Sequence, residues 1–171
     1  MKYHRIMAGL AALLLVTGFY SVTASAHVYE ILLRPSQLMQ KGREHVQVGD
    51  STKAKEYFYT ALEHDPSEND MSRIHNGLCV SFIMEENWED AMKHCNLAIK
   101  LRPSNWRFYN NRGNIYLHIG DHEKAIVEYK HGLKLAPSAY VLKRNFKLAE
   151  LRANGVEISA SDFFESLRVN L

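Results

Sequence analysis

Residues 106–121 read "WRFYNNRGNIYLHIGD". Tyr109, Gly113 and Tyr116 recur at the spacing of one helix face, with Arg112 beside Gly113. Gly120-Asp121 then breaks the helix. Asn110, Asn111 and Asn114 sit in the middle of the stretch. The Asn amide competes for backbone hydrogen bonds, which makes it a mediocre helix former. Something must offset that cost, and the pattern's return elsewhere in the chain indicates what.

Gly42, Ala54, Phe58, Ala61 and Pro66 form one set of positions. Cys79, Ala91, Cys95, Ala98 and Pro103 form a second, each 37 residues further on. Gly113, Ala125, Tyr129, Gly132 and Pro137 form a third, a further 34 residues along. Fixed self-similarity of this length marks a stacked repeat. The longer first interval places three extra residues in "SENDMS", read as loop. Each of Pro66, Pro103 and Pro137 precedes a Ser, so each repeat has a helix stop followed by a candidate helix start. Within a repeat the stripes give two amphipathic helices. Small residues such as Gly113, Ala125 and Gly132 let them approach, and Tyr116 and Tyr129 fill the space beside them.

A 34-residue period with this pattern resembles the tetratricopeptide repeat (TPR) family, most specifically in "NNRGNIYLHIGDHEKAIVEYKHGLKLAP". The second repeat departs from the pattern, with Cys79 for the usual Gly, Cys95 for the usual aromatic and Glu86-Asn87 at the turn. It keeps Trp88, Ala91, Ala98, Leu101 and Pro103. The resemblance implies an all-α fold: a right-handed superhelical solenoid of antiparallel helix pairs. Its repeats would span 35–71, 72–105 and 106–139, followed by a solvating capping helix at 140–153. Asn154-Gly155 ends that helix, and 154–171 reads as a tail whose short helix is capped by Ser161, with Phe163, Phe164 and Leu167 on one side.

Residues 1–26 differ from the rest. "MKYHR" is basic, "IMAGLAALLLV" is apolar but short for a membrane span, and "ASA" at 24–26 suits a signal peptidase. This reads as a cleaved secretory signal, followed by a lead-in at 27–34, and places the mature chain in the periplasm or outside the cell. No Cys follows the apolar run to carry a lipid, and no other segment could span a membrane. The signal carries Lys2 and Arg5 and no acid; removing these two from 21 basic residues leaves 19, equal to the 19 Asp and Glu. A neutral mature chain lacks the basic footprint of a general nucleic-acid binder.

In a hairpin turning near Glu86-Asn87, facing residues have numbers summing to about 174, which pairs Cys79 with Cys95. The oxidising compartment favours a disulfide between them, and two buried free thiols are the other reading. Two cysteines without paired ligand spacing do not make a zinc site.

No catalytic constellation stands out, and no cofactor is implied. The nine histidines are scattered, and His118 and His122 straddle the Gly120 turn. There is no Gly-rich phosphate loop or nucleophile elbow. Cleavage after Ala26 would leave His27 as an N-terminal residue able to chelate copper, a metal-dependent alternative that needs a second positioned His.

In the resembled family the first helices of each pair line a concave groove that holds an extended peptide or a partner's helix. Carried over, the lining is Arg107, Asn110, Asn111, Asn114 and His118 in the third repeat, Arg73 and Asn76 in the second, Arg43 in the first, and Arg144 and Asn145 on the capping helix. Carboxamides suit a peptide backbone, and Arg forks suit carboxylates. Asn111 and Asn114 match the family's two-carboxylate clamp, but Met39, Asn76 and Asn110 stand where its Lys would be. The expected function is therefore non-catalytic: an adaptor or assembly factor of the cell envelope holding a protein or peptide with acidic groups. The competing expectation is a structural homo-oligomer joined through the Phe163-Phe164 tail.

Overall fold

The computed structural model describes residues 34–156. Among them are seven helices and no strand: α1 (Pro35–Gln47), α2 (Ser51–Glu63), α3 (Glu68–Met84), α4 (Trp88–Leu101), α5 (Trp106–His118), α6 (His122–Leu135) and α7 (Tyr140–Ala153). Consecutive helices pack as α1 on α2, α3 on α4 and α5 on α6, with α7 against α6. This is the expected all-α helical repeat. The signal at 1–26, His27 and the tail residues Ser161, Phe163, Phe164 and Leu167 lie outside the described residues.

The turns are made by the residues the sequence marks. Gly49 and Gly120 take positive φ values of 86° and 84°, open to Gly at little cost. Asp50 and Asp121 then cap the next helices by accepting from the Lys53 and Lys124 backbone N–H groups. In the second repeat Glu86 holds φ 55° where the others have Gly, and Asn87 supplies the cap. Ser67 caps α3, but α5 is capped by Asn105, one residue after the Pro-Ser pair. The three extra residues of the first interval are not loop. Together with a start one residue sooner after the Pro, they extend α3 to 17 residues, against 13 in α1 and α5. Ser67 at the cap and Glu68 and Asp70 in the first turn explain why that stretch is helical.

Inside the first and third hairpins a small residue faces a ring. A Cβ at Gly113 would lie 2.5 Å from Tyr129 Cε1, so only Gly fits while the fully buried ring stays in place. In the second hairpin the equivalent positions hold a disulfide, Cys79–Cys95, with Cα atoms 5.2 Å apart. The bond therefore occupies the slot that a glycine and an aromatic fill elsewhere. Burying a ring such as Phe58 or Tyr129 contributes about 2–3 kcal/mol, so these slots carry much of each hairpin's stability.

Between hairpins, α1 meets α3, α3 meets α5 and α5 meets α7, while the second helices form no comparable row. The first helices therefore crowd together on one side of the array, its inner side. At the C-terminal end Leu142, Leu148 and Ala149 of α7 close the core around Tyr129, with Trp106 and Phe146 alongside.

Candidate functional site

The first helices α3 and α5 each touch their own hairpin partner, the second helix of the preceding hairpin, and the first helices on either side. This is why α3 and α5 are buried over most of their circumference. The expected groove-lining stripe is split by that packing. Asn110, Asn111, Asn114 and Asn145 have 0% exposure, and Asn76 is also buried. They bond to one another across neighbouring first helices. Asn111 Nδ2 donates to Asn76 Oδ1 at 2.9 Å, joining α5 to α3. Asn145 Nδ2 donates to Asn110 Oδ1 at 3.0 Å and to Asn114 Oδ1 at 3.1 Å, joining α7 to α5. The Asn76–Asn111 and Asn110–Asn145 links each span 35 residues, so the same bond recurs one repeat later. Tyr129 Oη also donates to Asn114 Oδ1 at 2.9 Å, and burial raises its pKa well above the ordinary phenol value. The asparagines that began as a cost to one helix are thus a ladder between helices.

The accessible part of the inner side is basic. A pocket of about 210 Å³ is lined by Arg43 of α1, Arg73 of α3, Arg102 at the end of α4 and Arg107 of α5, together with Asn76, Asn105 and the buried ring of Phe108. Three of the expected arginines converge here. Arg102, Asn105 and Phe108 were not expected. Arg102 and Asn105 come from the connection around Pro103, where the sequence shows only helix punctuation. The guanidiniums are steadied mostly by neutral groups. Arg43 donates to the Gln40 side chain, Arg102 donates to Asn69 Oδ1 at 2.6 Å, and Arg107 lies 4.6 Å from the centre of the Trp106 ring. Arg73 lies 3.7 Å from Asp70, the one carboxylate within ion-pair distance of the four among the described residues. Burial lowers the Arg43 pKa, the charge of Arg73 lowers it further, and Glu44 opposes. The group stays protonated at any ordinary pH, and like-charge crowding by Arg73 adds to the effect of burial.

The remaining expected residues lie elsewhere. The His118 ring lies tilted against Trp88 of the preceding hairpin, with centroids 4.0 Å apart, and Arg144 is half-buried on α7. Neither lines the pocket.

A separate histidine pair bridges the second hairpin. His75 Nδ1 and His94 Nδ1 lie 3.1 Å apart, and the His94 ring stacks on Phe82 with centroids at 5.5 Å. Burial lowers the His94 pKa to about 4, with His75 and Lys93 adding to the effect and Asp90 opposing it. Among the described residues no three His, Cys, Asp or Glu side chains gather as a metal site.

The chain's fold has close counterparts. The first TPR domain of human RPAP3 superposes with a TM-score of 0.65 at 19% identity, covering 71% of this chain and 93% of that one. A structure titled as the first TPR of Spaghetti (RPAP3) bound to HSP90 peptide SRMEEVD gives the same TM-score at 20% identity, over 71% of this chain and 96% of that one. In sequence, the chain is 27% identical over 108 residues to the tetratricopeptide repeat-containing protein trd-1 of Caenorhabditis elegans, which covers 63% of this chain. It is 28% identical over 106 residues to the heat shock protein STI1 of Saccharomyces cerevisiae, which covers 62% of this chain. The matched segments span only 14% and 18% of those two relatives. Tetratricopeptide repeat family models match residues 39–105 and 106–139, which together exceed half of the 171-residue sequence. The chain belongs to the tetratricopeptide repeat family.

Proposed function

We propose that this protein is a binding module that holds an acidic peptide or partner segment along its inner side, as an adaptor or assembly factor of the cell envelope. The observation that carries the reading is the pocket bounded by Arg43, Arg73, Arg102 and Arg107 on the side where the first helices meet. Cationic forks with almost no carboxylate among them attract carboxylates from outside. The RPAP3 structure bound to SRMEEVD, a peptide with acidic side chains near its end, supports the class of ligand. The recognition rests on arginines, because the asparagine amides of the inner face are buried in the ladder.

Fluorescence anisotropy with labelled SRMEEVD, the same peptide with its acidic residues changed to amides (SRMQQVN) and a Lys-rich control tests this. The acidic peptide should bind with Kd of about 1–100 μM, weaken with added salt, and lose about tenfold or more in affinity with Arg73→Ala plus Arg107→Ala. Equal binding of the three peptides, or none at about 1 mM, refutes it. For the envelope location, N-terminal sequencing of the secreted form should begin at His27; an intact Met1 end would refute cleavage. The Cys79–Cys95 bond supports an oxidising compartment.

A further inference from the structure

The charge balance of the pocket goes further than an attraction for acidic peptides. Four guanidiniums reach it from four separate elements, α1, α3, the end of α4 and α5. Asp70 is their one ion-pair partner among the described residues. Gln40, Asn69 and Trp106 hold Arg43, Arg102 and Arg107 in place without neutralising them. A surplus of positive charge is thereby fixed around about 210 Å³, and Arg43 and Arg73 already disfavour each other there. One carboxylate brings a single charge and two oxygens in one plane, enough for one guanidinium fork. It would leave most of the surplus in place.

We propose that the pocket binds a phosphate monoester dianion, carried as a phosphorylated side chain on the peptide in the groove. The inference rests on the peptide-binding reading above and adds the group that fills the pocket. A phosphoryl group offers three acceptor oxygens in a tetrahedral arrangement and about −1.5 to −2 charges at neutral pH. Arginines arriving from four elements can each find an oxygen, and the added charge matches the surplus. Phe108 closes the floor with an apolar ring, which excludes water and strengthens those contacts. Asn105, whose Oδ1 caps α5, lies beside it.

The test uses the full chain and one nine-residue peptide in three forms, with Ser, Glu or phosphoserine at its centre and no other charge. Inorganic phosphate is added as a competitor. The phosphopeptide should bind at least about tenfold more tightly than the Glu form, and inorganic phosphate in the millimolar range should displace it. Arg73→Gln and Arg102→Gln should each cost about tenfold, while Lys130→Gln, an exposed residue on α6, should leave affinity unchanged. Circular dichroism confirms that each variant is folded, and if Arg73→Gln is not, Arg102→Gln on its exposed connection serves alone. Binding of the Ser, Glu and phosphoserine forms within twofold overturns the phosphate assignment while leaving acidic-peptide binding intact. Arginine-dependent binding of inorganic phosphate with no peptide bound in any form overturns the peptide source and, with it, the peptide-binding reading. Phosphopeptide binding indifferent to both Gln substitutions overturns the assignment to this pocket.

Discussion

Asn145→Ala separates a structural ladder from a ligand-contact surface. In the native chain one Asn145 Nδ2 supplies both Asn110 Oδ1 and Asn114 Oδ1, at 3.0 and 3.1 Å, with all three amides buried. The substitution leaves Asn114 Oδ1 with its Tyr129 bond and Asn110 Oδ1 with none. A buried acceptor left alone costs about 1–3 kcal/mol, and the vacated volume adds to it. Part is offset because Asn145 Oδ1, itself buried without a partner, is removed too. The net expectation is about 1–3 kcal/mol, a fall in Tm of about 4–12 °C in thermal melts of the unliganded protein. A double-mutant cycle sharpens the test. Asn110→Ala and Asn145→Ala should couple by about 1 kcal/mol, and so should Asn76→Ala and Asn111→Ala, whereas Asn76→Ala and Asn145→Ala should add. A Tm within about 2 °C of wild type, or additivity in both bonded pairs, refutes the ladder. Residues that only met a ligand would leave the free protein's Tm unchanged.

Gly113→Ala places a methyl 2.5 Å from the Tyr129 ring, whose hydroxyl is tied to Asn114, so denaturant titration should show a loss of about 1–3 kcal/mol. Reducing the Cys79–Cys95 bond, which joins residues 16 apart, should cost about 3 kcal/mol and lower Tm by about 10 °C; an unchanged melt with dithiothreitol would contradict it. His94 titrates near 4 when folded and near its ordinary 6.5 when unfolded. Its depressed pKa means the unfolded chain binds the extra proton, so stability holds above pH 6.5 and falls between 6.5 and 4. Chemical denaturation across that window should show a loss of about 1–2 kcal/mol that His94→Phe reduces, leaving the part due to His75, whose pKa burial also lowers.

The repeat period, the helix breaks and the Cys79–Cys95 pairing were legible because each depends on residues within one hairpin. Offsets of 37 and 34 together align Gly42 with Gly113 and Phe58 with Tyr129, with Cys79 and Cys95 at the same two places between, and the antiparallel register places Cys79 opposite Cys95 with no tertiary knowledge. The fate of Asn76, Asn110, Asn111, Asn114 and Asn145 was not legible in the same way. A helical stripe opposite the core reads as solvent-facing when a helix has one buried face. In this array α3 and α5 each pack against four other helices, so the stripe opposite Tyr109 and Gly113 is itself an interface. The signal was present in the 35-residue interval between Asn76 and Asn111 and again between Asn110 and Asn145. Arg102 and Asn105 were hidden for another reason. They belong to a connection, and Arg102 is placed by Asn69, 33 residues earlier, which no local pattern predicts.

Stability and recognition therefore fall to different residues of the same helices. Contacts within a hairpin, Gly113 on Tyr129 and Cys79 with Cys95, fix how each pair of helices closes. Contacts between hairpins, Asn76 with Asn111 and Asn110 with Asn145, fix how far each first helix is displaced from the last. Tyr129 connects the two sets, its ring against Gly113 and its hydroxyl on Asn114, which also accepts from Asn145. The Asn76–Asn111 link bears directly on the pocket, since Arg73 and Arg107 stand on the two first helices it joins and meet only if those helices keep their offset. Amides serve that purpose better than apolar side chains. A hydrogen bond is satisfied at one register and broken by a small slip, whereas an apolar contact tolerates sliding. Where the ladder is absent, Met39 and Gly77 occupy the corresponding positions in α1 and α3, and there the register rests on packing, with Gly77 pressed against the Phe58 ring.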